Sequence, residues 1–177
     1  KQLLPFPCGI IKGDLSKDTI RNLPDDIDAV IHLAGEGVAE KRWSHKQKEK
    51  LVFSRVRGTE NLIKSLKQSP KVFLSASAIG YYGDRAEEEL VETSRPDSGF
   101  LSKLCVDWES QLKLLSKDTR KVILRIGIVL TPHGGALEKM LLPFQLNIGG
   151  VMGSGRQWMS WIHIDDLIQM FLWSLEQ

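Results

Sequence analysis

The chain has 177 residues, of which 42% are hydrophobic and 26% charged, and its formal net charge at pH 7 is +2. That length suits one domain that buries roughly 70% of its unfolded surface, and so small a charge gives no electrostatic ground for a polyanionic partner. No run approaches the ~18 apolar residues of a membrane span, no signal-peptide pattern is present, and the two cysteines lack metal or redox spacing, so we expect a cytoplasmic protein without a membrane or metal site.

The first half of the chain alternates strand-like and helix-like segments. A weak strand pattern near residues 9–11 and a short helical pattern at 17–23 precede a clear strand at 28–33. The spacing of apolar residues then predicts one long helix over 44–66, with Ser44 as its N-cap, and a strand follows at 71–75.

The second half opens on an acidic stretch that is typical of a solvated loop. The last of the elements expected after it is a helix at the C-terminal end of the sequence, for which Asp165 or Asp166 is the candidate N-cap. They are, in chain order, a loop at 84–99, a helix at 100–115, a strand at 121–130, a turn at 131–135, a helix ending near 146, glycine-rich turns or a tight hairpin at 149–155, a short strand at 159–164 and a helix at 165–175.

Three of these strands are apolar, β-branched runs that stop at small or polar residues. Continuous apolar strands alternating with amphipathic helices indicate an α/β fold with a parallel sheet covered on both faces. In such sheets the ligand lies outside the carboxyl ends of the strands, so the sequence predicts a nucleotide-type site there.

Residue types at these strand ends leave alternatives open. Ser75 and Ser77 can hydrogen-bond a substrate oxygen or can satisfy backbone groups of the loop that follows. By spacing alone, Lys103 is a surface lysine paired with Asp107 one helical turn later. His163 suits a packed core position or a ligand contact, and the four histidines lack metal spacing.

Two further segments carry weak signals for anions. Gly134 and Gly135 precede a helix whose N–H groups can face a phosphate, and Arg156 follows a glycine-rich turn with a guanidinium suited to the same group. Both segments also fit ordinary turns. The basic run at 41–50 favours the solvated start of a helix over nucleic-acid binding.

Taken together and in order, a set of short segments resembles the extended short-chain dehydrogenase/reductase superfamily, and more closely its atypical branch of NAD(P)-binding, nucleoside-diphosphate-sugar epimerase-like proteins. The resemblance covers nearly the whole chain from about residue 25. The segments that carry it are 33–36, 42–43, 80–84, 103–105 with 108–109, 134–135, 142–144 and 161–166.

The resemblance implies the later part of a Rossmann-type parallel sheet with helices on both faces. The first βα unit, with its glycine-rich phosphate loop, and the C-terminal substrate segment are absent from these residues. Residues 1–177 are then a partial NAD(P)-binding domain with a small substrate-side element at about 131–160.

The resemblance also implies roles for individual residues. Ser77 matches the serine that hydrogen-bonds the reacting oxygen, and Lys103 matches the lysine that holds the nicotinamide ribose. The resemblance therefore favours a cofactor-binding role for Lys103 over that of a surface lysine. Gly134, Gly135, Arg156 and His163 are expected on the substrate side. The residues expected to bind NAD or NADP are Leu33, Ala34, Gly35, Ser75, Lys103, Arg125, Ile126 and Gly127.

One departure from the family concerns the proton donor. The family's Tyr-x-x-x-Lys signature has Gly99 in place of the tyrosine four residues before Lys103. We therefore expect Tyr81, Tyr82 or water to supply the proton. Losing a positioned acid typically costs 10²–10⁴-fold in rate.

The predicted function is an NAD(P)-dependent epimerase or reductase that acts on a small molecule, such as a nucleotide sugar, by transient hydride transfer at a carbonyl. The alternative is a non-catalytic NAD(P)-binding sensor or scaffold. The resemblance also implies a homodimer through helices 44–66 and 100–115, although their apolar stripes fit an intramolecular core equally well.

Overall fold

The main sheet has three parallel strands in a computed structural model that describes residues 8–39, 41–151 and 153–177. In order across the sheet they are β1 (Ala29–His32), β2 (Val72–Ala78) and β3 (Arg120–Ile126). A second parallel pair joins β4 (Ile128–Thr131) to β5 (Trp161–His163). The predicted α/β fold with parallel strands is confirmed.

The predicted helix at 44–66 is interrupted by a π-helical turn. It consists of α1 (His45–Val52), the π turn (Phe53–Arg57) and α2 (Gly58–Ser65), and the Ser44 hydroxyl caps α1 by accepting a hydrogen bond from Gln47 N. The remaining helices are α3 (Phe100–Ser110), extended by a 3₁₀ turn (Gln111–Leu114), α4 (Gly135–Gln145) and α5 (Ile164–Glu176). None of these described helices is both long and apolar enough to cross a bilayer.

Helices cover both faces of the sheet, as the sequence predicts. Successive residues of β2 point to opposite faces, and both Phe73 and Leu74 are fully buried. Phe73 packs with Ile63, Leu112 and Leu115 beneath α2 and the end of α3, whereas Leu74 packs with two residues of α5, Leu167 and Phe171. The apolar stripes of α2 and α3 therefore serve this core, and the dimer remains a prediction.

The predictions at the start of the chain are wrong. Residues 9–11 form no strand in the structure, and Ile10 is 74% exposed. Residues 17–23 form no helix: a turn at 15–17 is followed by bends and irregular chain. The Asp14 carboxylate accepts bonds from the Ser16 backbone and hydroxyl, which competes with helix formation. Hydrogen bonds from Asn61 to the Leu15 carbonyl and from Ile20 N to Ser65 tie this segment to α2.

The predicted strand at 121–130 breaks at Gly127 into β3 and β4. A Cβ on Gly127 would lie 2.7 Å from both the carbonyl and the hydroxyl oxygen of Ser160. Ile128 N donates to that same carbonyl at 2.9 Å. The break lets the chain pass from one sheet to the other with the Ser160 backbone packed against Gly127.

Two other boundaries differ from the sequence prediction. β2 continues three residues beyond Ser75 to Ala78, so Ser77 is a strand residue. α5 begins at Ile164 with His163 as its N-cap, because the His163 ring accepts a bond from Asp165 N, and neither Asp165 nor Asp166 is the cap. The glycine-rich stretch contains a turn with left-handed Gly153 and Gly155.

We expect Gly127→Ala to lower the free energy of unfolding by about 2 kcal/mol, because overpacking against a fixed backbone carbonyl is costly. Urea denaturation measures the change. Gly150→Ala is the matched control, since a Cβ there meets nothing within 4 Å. Equal denaturation midpoints for the two variants would show that the Ser160 contact does not restrict residue 127.

Candidate functional site

The register of the main sheet sets the candidate site residues side by side. His32 pairs with Ser75, Ser75 with Ile123, and Ser77 with Arg125. Beyond the end of β1, Leu33, Ala34 and Gly35 are exposed. The carboxyl ends of the strands therefore share one edge of the sheet, where the sequence predicts a ligand.

Ser77 and Arg125 meet on the carboxylate of Glu109, a residue of α3. The Ser77 hydroxyl donates to Glu109 Oε1 at 2.6 Å. Arg125 donates to the same carboxylate through Nε at 2.9 Å and Nη2 at 2.8 Å. With side chains 18% and 12% exposed, Arg125 and Glu109 form a largely buried two-pronged ion pair.

Both tyrosines contact the guanidinium of Arg125. Arg125 Nη1 donates to the Tyr82 hydroxyl at 2.8 Å and to the Glu92 carbonyl at 3.0 Å, and its Cζ lies 3.4 Å from the centre of the Tyr81 ring. Hydrogen bonding to Glu109 raises the pKa of Arg125 above its ordinary value, so the guanidinium is a fixed positive charge. An arginine cannot accept a hydrogen bond, so the Tyr82 proton is not donated to it.

A cleft of about 520 Å³ opens beside this network, along the outer edge of β3. Tyr82, Arg125 and Gly127 line it, and the apolar side chains of Trp161 and Met170 face them. Its volume lies within the usual range for a small-molecule pocket. Tyr82 therefore combines a cleft position with a hydroxyl proton that Arg125 leaves free.

A second hydrogen-bond network lies beneath the end of β1. The Thr59 hydroxyl donates to the Arg55 carbonyl at 2.6 Å, so it accepts from its other two partners, Trp108 Nε1 and His32 Nε2, both at 2.9 Å. His32 thus carries its proton on Nε2. Burial lowers the pKa of His32 from 6.5 to about 4, which keeps the ring neutral near pH 7.

Other predicted site residues occupy varied positions. Lys103 is exposed on α3, and Gly134 and Gly135 have positive φ values of 128° and 74° at the start of α4. Arg156 is exposed directly after the turn at 153–155, and His163 caps α5. Ser75 is buried, and its hydroxyl contacts the Ala76 carbonyl at 3.1 Å. The structure brings Ser77, Tyr81, Tyr82 and Arg125 together, and the catalytic and binding roles assigned to all these residues stay predictions.

The residue that organises the site, Glu109, has no role in the sequence predictions. The sequence feature that points to Glu109 is its position directly after Trp108, on the buried stripe of a helix. An ionised carboxylate in such a position needs a partner. Arg125 is that partner, and the register of β2 and β3 was needed to identify it. Among the residues that the structure describes, no three potential metal ligands cluster.

The chain matches a model of the NAD-dependent epimerase/dehydratase family over residues 4–177. An epimerase family protein of Mycobacterium bovis is 38% identical over 154 residues, which cover 86% of this chain and 51% of that protein. The chain thus spans about half the length of the curated relatives it matches.

Two solved structures show the same fold. The human epimerase family protein SDR39U1, crystallised with NADPH, matches with a TM-score of 0.80 and 35% identity, covering 92% of this chain and 56% of that one. A nucleoside-diphosphate sugar epimerase of Corynebacterium glutamicum matches with a TM-score of 0.65 and 36% identity, covering 82% and 31%.

The buried neutral His32 predicts a pH-dependent stability. Because its pKa is depressed in the folded state, the unfolded chain binds the proton more readily, and stability falls as the pH drops from 6.5 toward 4. We expect His32 to account for about 2 kcal/mol of lost unfolding free energy between about pH 7 and pH 5. Urea titrations of wild type and His32→Gln at both pH values measure this difference. The exposed-histidine control, His45→Gln, should keep the wild-type dependence, and an unchanged dependence in His32→Gln would contradict the assignment.

The Glu109 carboxylate should contribute strongly to stability. Glu109→Gln leaves the Arg125 guanidinium largely buried without a counter-charge, and we expect the free energy of unfolding to fall by about 2–3 kcal/mol. Asp107→Asn, which removes an exposed carboxylate from the same helix, should change it by less than about 0.5 kcal/mol. Equal losses in the two variants would show that the ion pair contributes little.

Proposed function

Because the chain belongs to the NAD-dependent epimerase/dehydratase family, we propose that it binds NAD or NADP and catalyses hydride transfer at an alcohol or carbonyl carbon of a small molecule. The observation that carries the proposal is the strand-end network in which Arg125 holds the Tyr82 hydroxyl at the cleft and shares the Glu109 carboxylate with Ser77. The human relative crystallised with NADPH supports the cofactor class.

The end of β1 fits a dinucleotide. Leu33 is 61% exposed, and the small residues Ala34 and Gly35 after it are exposed as well. An uncovered apolar strip with small side chains lets a flat ring approach the backbone closely. Ser75, Ile126 and Gly127 continue this edge across β2 and β3, and Lys103 on α3 is proposed to hold the cofactor ribose.

A bound nicotinamide ring would accept the hydride from the carbinol carbon or return it to the carbonyl carbon. Side chains of this protein must transfer the proton to and from the substrate oxygen. The Tyr82 hydroxyl accepts from Arg125 and keeps its own proton to donate to the substrate oxygen during reduction. In the oxidation direction, the Tyr82 oxygen is deprotonated beforehand and takes up the proton that leaves the substrate alcohol.

The Ser77 hydroxyl is suited to a different task. Its proton is donated to Glu109, a carboxylate that can only accept, so its lone pairs remain to accept a bond from a substrate hydroxyl. Ser77 is therefore proposed to orient the alcohol form of the substrate, and Tyr82 to exchange the proton. Tyr81, packed against Arg125, holds the guanidinium in place.

The proposed substrate class is a nucleotide sugar, supported by the nucleoside-diphosphate sugar epimerase of Corynebacterium glutamicum. Gly134, Gly135, Arg156 and His163 are proposed to contact its diphosphate or sugar. They lie in the turns and the second sheet that follow β3, within or beside the element at about 131–160.

A non-catalytic NAD(P)-binding sensor is the second candidate. The engagement of the Ser77 proton by Glu109, together with Gly99 in the position of the family's tyrosine, favours it. Cofactor binding without oxidation or reduction of any member of a carbonyl and nucleotide-sugar panel would support the sensor over the enzyme.

Tyr82→Phe should lower kcat by about 10²–10⁴-fold while leaving the Kd for NADPH or NADH within about twofold, because it removes one hydroxyl and keeps the ring. Turnover is measured on UDP-glucose, UDP-glucuronic acid and small aldehydes, with cofactor binding followed by fluorescence. A matching loss in Tyr81→Phe instead would assign the proton to Tyr81. Undiminished turnover in both variants would exclude a tyrosine donor.

A further inference from the structure

The guanidinium of Arg55 occupies the space beside the end of β1. A Cβ on Gly35 would lie 3.1 Å from Arg55 Cζ and 3.3 Å from Nη2, so the glycine leaves room for this group. On its other side, Arg55 Cζ stands 5.3 Å from the centre of the Trp108 ring. Arg55 comes from the π-helical turn between α1 and α2, and it is partly buried.

The hydrogen-bond donors of Arg55 are almost all unused. An arginine has five N–H donors, and among the residues described here those of Arg55 make one long contact, 3.5 Å from Nη1 to the Ser54 hydroxyl. Within the same residues, no carboxylate lies within 4.0 Å of its nitrogens. Arg125, by contrast, has Glu109, Tyr82 and the Glu92 carbonyl as partners. Burial lowers the pKa of Arg55, which records the cost of desolvating a charge without a paired anion.

The surroundings of Arg55 connect it to the candidate active site. Cys105 donates to the Ala78 carbonyl at 3.8 Å and lies within electrostatic range of both Arg55 and Glu109, the carboxylate that Ser77 donates to. Burial raises the pKa of the Cys105 thiol. Glu36 is the nearby carboxylate, and Gln47 donates to it at 3.4 Å.

We propose that Arg55 binds an oxyanion, a carboxylate or phosphate carried by the substrate or the cofactor, at the strand-end edge beside Gly35. The planar fork of a guanidinium matches either group with two parallel hydrogen bonds. An arriving anion would supply a directly paired counter-charge, since Glu36 acts on Arg55 only from beyond ion-pair distance. The inference rests on the proposed function and deepens it by naming the chemical class of the group that is recognised.

The full-length protein gives a direct test by ¹⁵N–¹H NMR of arginine Nε groups. Arg55→Met assigns the Arg55 signal and keeps an unbranched chain against Trp108. Arg57→Met is the matched control, because Arg57 is an exposed arginine on the same turn that stacks on Phe53. We expect the Arg55 signal, and not the Arg57 signal, to shift on titration with an oxyanion.

Two titrations distinguish the sources of that anion. If the cofactor supplies it, NADPH alone shifts the Arg55 signal, and Arg55→Met weakens NADPH binding by about tenfold or more. If the substrate supplies it, succinate or inorganic phosphate shifts the signal in the NADPH-saturated protein. Calorimetry should then show that Arg55→Met weakens binding of that anion by about tenfold or more while the Kd for NADPH stays unchanged.

Failure of the inference is separable from failure of the proposed function. Wild-type protein that binds NADPH but shows no Arg55 shift with any of these anions overturns the inference alone. Absence of NADPH and NADH binding, measured by calorimetry on the same wild-type sample, overturns the proposed function. A salt bridge between Arg55 and a carboxylate, detected in the free protein, would assign it a structural role and also overturn the inference.

Discussion

The carboxylate of Glu109 joins three separate parts of the chain at one point. It accepts from Ser77 on β2 and from Arg125 on β3, and it projects from α3. A buried carboxylate is tolerated because a two-pronged guanidinium compensates it. That same guanidinium then fixes Tyr81 by stacking and Tyr82 by hydrogen bonding. The positions of the Ser77 and Tyr82 hydroxyls therefore depend on the ion pair between Glu109 and Arg125, which is largely buried.

The fold was predictable because its signals are local and periodic. The runs at 28–33, 71–75 and 121–130 are rich in apolar, β-branched residues, as expected for strands covered on both faces, and the helices show 3.6-residue spacing. The failures arise where tertiary contacts decide. The Asp14 turn is preferred over a helix at 17–23, and the break at Gly127 depends on Ser160, thirty-three positions later in the chain.

The candidate site was predictable in outline, since strand ends mark the ligand edge of a parallel sheet. Its internal chemistry was not, because sequence does not show which polar groups pair. Ser77 was expected to serve a substrate, yet its proton is donated to Glu109. Gly35 was expected to bind the cofactor, yet the Arg55 guanidinium lies in the space that a side chain at position 35 would occupy. Hydrogen-bond pairing of this kind depends on distances between α3, the π turn and the sheet.

The π turn at Phe53–Arg57 has an evolutionary consequence. A π turn holds one residue more than the α-helical turn it replaces, and one residue corresponds to about 100° of helical rotation. Deleting a single residue there would regularise the backbone hydrogen bonds but swing α2 around its axis. Thr59 would then leave His32 and Trp108, and Asn61 would leave Leu15. Insertions and deletions in this helix are therefore expected to be tolerated only as compensated pairs, so its length should vary little among descendants of this sequence.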